Sequence, residues 1–204
     1  MDRHRTIGIA VAGLLVVFGM LFIAFLYPPA TKYPDSDWYI KIASGDISHV
    51  PQPFGSRVLH PMIVSALSAA SGLGLDASFY VVNVLALFGL IFVLSLFFSE
   101  ISFMNPILAF AVLFAPFLFL IHRNFYLSDM FFGFLAILFL FFLKKKNIIL
   151  SLSLLFLLFF SRPTDAAILG VLLIVFSFLK KEFKFVRAGS IVVLIAYLLS
   201  SQII

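Results

Sequence analysis

The sequence predicts an all-α polytopic membrane protein of about seven transmembrane helices, with a long first extracytoplasmic loop that carries interfacial helices. Three observations lead there. The 204 residues are 63% hydrophobic with mean hydropathy +1.19, against about 45–50% apolar residues in soluble domains. The apolar residues come in long runs separated by short polar turns. The lysine-rich turns then fall on one side of the resulting weave. A β-barrel would need alternating segments of about ten residues, and the sequence has none. One membrane domain is expected over residues 1–204, with its outer loop over about 28–76.

Arg3, His4 and Arg5 precede an apolar run from Ile7 to Tyr27, whose 21 residues suffice to span a bilayer. A signal peptide has a shorter apolar core and a small-residue cleavage site. This run ends Tyr27-Pro28-Pro29, so it reads as an uncleaved anchor with a cytoplasmic N-terminus. The prolines stop the helix. Asp35 to Ser44 can then form a short helix ended by Gly45, with Trp38, Tyr39, Ile42 and Ala43 on one face and Asp37 and Lys41 on the other. That pattern suits a helix lying in the membrane interface, with Trp38 and Tyr39 as headgroup anchors. Pro51 and Pro53 favour extended chain. Pro61 suits the first turn of a helix to Ser71, closed by Gly72.

Asp76 has the character of an N-cap, with Leu75 and Tyr80 as a hydrophobic staple, and opens a second span over about 77–98. Pro106 starts the third span, to about 121, with a kink expected at Pro116. The fourth runs from about Phe125 to Leu143 and carries Asp129 near its start. The fifth is Asn147 to Phe160, the sixth about 166–179, and the seventh runs from Ala188 onward.

Charge tests this weave. Arg3, Arg5, Lys144, Lys145, Lys146, Lys180, Lys181, Lys184 and Arg187 fall on the cytoplasmic side; Lys32, Lys41, Arg57, Arg123 and Arg162 fall outside. The excess inside follows the positive-inside rule. The net charge of +5 therefore reports topology, and no nucleic acid partner is expected. With zero cysteines, disulfides, thiolate nucleophiles and Cys-ligated metals are excluded.

Alternation brings three turns to the outer face: the long loop, His122–Asp129, and Arg162–Asp165. Each holds a cation and an acid. Ionisable groups at the edge of a span are costly unless paired or wet, which makes them functional candidates. Arginines grip phosphate in a bidentate fork, so Arg57, Arg123 and Arg162 suit an anionic lipid headgroup. Asp35 and Asp37 suit a general base or a divalent cation. His60, three residues from Arg57, is the better-placed histidine; His49 and His122 also read as surface residues. Simple structural roles compete throughout: Arg123 and Arg162 can anchor helix ends, and Asp165, like Asp76, can cap a helix. Asp129, about one turn inside an apolar span, is harder to explain that way.

These residues resemble the GT-C superfamily of polyprenyl-phosphate-sugar-dependent glycosyltransferases. Asp35-Ser36-Asp37 stands where that family has a DxD-like motif after its first span. Tyr39, Ala43, Gly45, Pro53, Arg57, Leu59 and Pro61 are similar to its loop pattern. Tyr126-Leu127-Ser128-Asp129 resembles a second acidic position, and Ser161-Arg162-Pro163-Thr164 a basic-Pro-Thr turn. The resemblance implies a seven-span module that moves a sugar from a lipid-linked sugar phosphate to an acceptor. It implies a catalytic base at Asp35 or Asp37, with Mg or Mn as the cation they would hold. Arg57, His60, His122, Arg123, Asp129 and Arg162 would bind substrate. It also implies a bacterial inner (plasma) membrane, an active extracytoplasmic face, contact with membrane lipids, and a partner protein supplying the spans that family members carry beyond the seventh. Two other classes fit the composition: a small-molecule or lipid transporter, and a lipid-binding or assembly subunit without catalysis. The charges gather at one face, whereas a transporter wants them near mid-bilayer.

Overall fold

The computed structural model describes residues 35–99, 125–126, 128–179 and 183–202. The expected first and third spans, and the turn bearing His122 and Arg123, lie outside the described residues. The described chain is helical, without a strand. Its elements are α1 (Ser36–Ala43), a 3-10 turn (Phe54–Ser56), α2 (Leu59–Ser71), α3 (Leu75–Ser99), α4 (Asp129–Lys144), α5 (Ile148–Ser161), α6 (Pro163–Leu179) and α7 (Phe183–Gln202).

Apolar side chains at helical spacing dictate the packing. Phe131, Leu135 and Phe139 form one buried stripe on α4, and Leu155, Leu158 and Phe159 another on α5. They meet Phe79, Leu87 and Ile91 of α3 in one core. α4 packs between α3 and α5; α5 continues the layer onto α6 and α7, which pack on each other. α2 lies against α3 and touches α5, and α1 lies on α2.

Local chemistry sets the ends. Gly45 and Gly72 take φ of 89° and 72°, the left-handed region that ends α1 and α2. Asn147 caps α5, its side chain accepting from the Leu150 amide at 3.1 Å. Pro163 opens α6, where a missing N–H costs nothing.

Several boundaries differ from expectation. α4 begins at Asp129, not Phe125, so Asp129 is the first helical residue rather than one turn inside. α6 begins at Pro163 and α7 at Phe183, both earlier than the apolar runs suggest. α3 starts at Leu75, which puts Asp76 within its first turn instead of at the N-cap. After Pro51 the chain curls instead of extending: the Phe54 amide donates to the Pro51 carbonyl at 2.9 Å.

Among the described residues one helical stretch, Leu75–Leu94, is long and apolar enough to cross a membrane. Leu59–Ser71, Ile148–Ser161 and Pro163–Val175 are apolar but shorter. The 16 residues of α4 reach about 24 Å, less than a hydrocarbon core of about 30 Å. The outer faces of α6 and α7 are nonetheless apolar, with Phe178 63% and Leu179 73% exposed.

Candidate functional site

The site is built from α1 outward. Its inner face is Ser36, Tyr39, Ile42 and Ala43, at helical spacing. Tyr39 is wholly buried, not an interface anchor as its aromatic character suggested. Trp38, a position earlier, is partly exposed, and Lys41 Nζ lies 4.7 Å over its ring. Asp35 and Asp37 are both exposed; Asp35 occupies the N-cap position without a side-chain capping hydrogen bond.

The Tyr39 hydroxyl joins two distant segments. An Arg57 terminal nitrogen donates to it at 3.1 Å, and Ser128 Oγ lies 3.3 Å away. Guanidinium can only donate, so the phenol oxygen accepts there, while either hydroxyl can donate in the Tyr39–Ser128 pair. Arg57 also lies 5.3 Å over the Phe54 ring, which packs edge-on against Tyr39.

Ser128 immediately precedes Asp129, and Asp129 pairs with Arg162. The other terminal nitrogen of Arg162 reaches Asp165 at 3.4 Å. One guanidinium is thus held between two carboxylates from α4 and α6. The long loop, the start of α4 and the start of α6 therefore meet through Arg57, Tyr39, Ser128, Asp129 and Arg162.

A second link lies alongside. Tyr126 hydrogen-bonds Asp76 and stands within electrostatic reach of Asp37. Its neighbour Phe125 accepts a hydrogen bond through its carbonyl from the buried Asn83 amide of α3. The Phe125–Tyr126 segment is thereby fastened to α3 on both sides.

His60 forms the floor. It is fully buried, edge-on to Phe79 and Tyr39 and tilted on Phe131, with ring centroids 5.5, 6.4 and 5.5 Å away. Neither ring nitrogen has a hydrogen-bond partner among the described residues. Burial pushes its pKa down to about 3, so the ring is neutral near pH 7. It lies beneath the site and presents no surface to a ligand. His49 is exposed, its Nδ1 2.8 Å from Ser48 Oγ, which also donates to Asp46 at 3.1 Å.

Asp37, Asp76, Asp129 and Asp165 all lie in the first turn of a helix, where the positive end of the macrodipole favours a carboxylate. Among the described residues no group of three or more His, Asp or Glu could hold a metal ion. Asp35 and Asp37 have no third His, Asp or Glu ligand beside them among the described residues.

Of the sequence-predicted residues, Asp129 and Arg162 pair directly, Arg57 is linked to them through Tyr39 and Ser128, and Asp37 stands within electrostatic reach of Tyr126. Arg162 is engaged by two acids, and Asp129 is engaged by Arg162. Tyr39, Tyr126 and Ser128 stood within the quoted motifs, but their contacts, and the hydrogen bond of Tyr126 to Asp76, were not anticipated. The signal for Tyr39 is its spacing from Ser36 and Ala43 on a common helical face. The signal for Ser128 is its position beside Asp129. Comparison with known protein families, with curated proteins and with solved structures finds no match to this chain.

Proposed function

We propose that this chain is a GT-C-like glycosyltransferase of a bacterial inner membrane, moving a sugar from a polyprenyl-phosphate donor to an acceptor hydroxyl at the extracytoplasmic face. The observation that carries this reading is the link from Arg57 of the outer loop through Tyr39 to Ser128 at the start of α4, next to the pairs that Arg162 makes with Asp129 and Asp165. A lipid-linked sugar phosphate needs a cation at its phosphate and a base at the acceptor; Arg57 offers the first, and the exposed Asp35 and Asp37, at the start of the helix that carries Tyr39, offer the second. The seven-span weave with a cytoplasmic N-terminus belongs to the same proposal. The apolar outer faces of α6 and α7 and the membrane-length stretch Leu75–Leu94 support it.

In this reaction the acceptor oxygen bonds to the anomeric carbon while the bond from that carbon to the phosphate oxygen breaks. The electron pair leaves with the polyprenyl phosphate, and the acceptor proton passes to Asp37 or Asp35. A positioned base contributes about 10²–10⁴-fold to such a step. Arg57 stabilises charge on the departing phosphate, which is the larger contribution in this chemistry. Arg162 shapes the rim through its hold on both helix starts.

The test is an assay of the purified chain with candidate polyprenyl-phosphate sugars. Transfer or donor hydrolysis is expected, and Asp35→Asn or Asp37→Asn abolishes it. Unchanged turnover in both variants removes the catalytic assignment and favours a lipid-binding subunit.

A further inference from the structure

The geometry points to Tyr39 as a positioning residue that fixes the Arg57 guanidinium for a phosphate ligand. The inference rests on the proposed lipid-phosphate site and names how its arginine is held. Arg57 is partly exposed on a loop, where a long side chain would lose rotamer entropy on ordering for a ligand. Two contacts order it beforehand. Its terminal nitrogen donates to Tyr39 and its Cζ lies 5.3 Å over the ring of Phe54, which itself packs on Tyr39. The Tyr39 ring cannot turn away, because it is wholly buried against His60 and Phe54. Its hydroxyl is held from a second side as well, by the hydroxyl of Ser128 at 3.3 Å. Tyr39 touches no reacting atom in this scheme; it acts through Arg57.

The experiment uses the full chain in detergent. Without ligand, the rate at which phenylglyoxal modifies Arg57 is read by mass spectrometry. Tyr39→Phe keeps the ring and its packing and removes the hydroxyl, and it is expected to raise that rate severalfold. Ser128→Ala, which leaves the Arg57 contact in place, raises it less. With farnesyl phosphate as probe, and inorganic phosphate and farnesol as comparisons, Tyr39→Phe is expected to weaken binding about tenfold. In an Arg57→Ala background the same substitution adds nothing, a non-additivity that general loosening would not produce. Equal Arg57 reactivity in wild type and Tyr39→Phe, or additive losses in the double variant, overturns the positioning role. A raised reactivity with no farnesyl phosphate binding by wild type supports the positioning and overturns the phosphate ligand. Tighter binding of inorganic phosphate than of farnesyl phosphate overturns the lipid part alone.

Discussion

Unfolding releases His60 into water, where it titrates near 6.5; folded, it resists protonation down to about 3. Between those values the unfolded chain binds a proton that the folded chain does not. Stability therefore falls as pH drops through this window, by about 1.4 kcal/mol per pH unit. Above pH 6.5 both states are neutral at this ring and its contribution is flat. His60→Phe keeps an aromatic ring among Tyr39, Phe79 and Phe131 and removes the titration. Unfolding in detergent between pH 7 and pH 4.5 is expected to show a shallower acid slope for this variant than for wild type; parallel slopes would contradict the buried, unpartnered ring. The position of His60 near Arg57 was readable from the sequence, but its burial was not. That depends on rings from α1, α3 and α4 closing around it, which no local pattern reveals. The same holds for Tyr39, an aromatic whose hydroxyl partner lies 89 residues away.

At the scale of helices, close approach is bought at particular glycines. A Cβ on Gly89 of α3 would enter the ring of Phe134 on α4, and one on Gly170 of α6 would stand 2.5 Å from Val193 Cγ2 on α7. Gly89→Ala and Gly170→Ala are each expected to cost about 1–3 kcal/mol, read as a lowered unfolding temperature. Gly74→Ala meets nothing within 4 Å and should leave it unchanged or slightly raised. Equal effects at all three positions would mean that the helices do not approach there. The helices themselves were largely legible, since prolines, glycines and apolar runs are local signals. Their first turns were misjudged where acids lead into apolar sequence. Asp76 and Asp165 read as caps and Asp129 as an acid one turn inside a span, yet each lies in the first turn of its helix.

For the whole molecule, alternating polar turns predicted that the long loop and the segments around Asp129 and Arg162 share one face. The structure brings those segments into contact, but which side chains pair could not be read, because pairing depends on helix rotation. The absence of cysteine makes the proposed sidedness directly measurable. Ser48→Cys should react with a membrane-impermeant maleimide on intact cells, and Lys145→Cys only after permeabilisation; the reverse pattern would invert the topology. The central claim is that acids beside the Arg57 network perform chemistry on a lipid-linked sugar phosphate. Its most direct measurement compares donor turnover by Asp35→Asn and by Asp37→Asn with turnover by Asp46→Asn, an acid of the same loop engaged by Ser48. The account predicts a loss of about 10²-fold or more for at least one of the first two and near wild-type turnover for Asp46→Asn. Equal turnover by all three variants would contradict it.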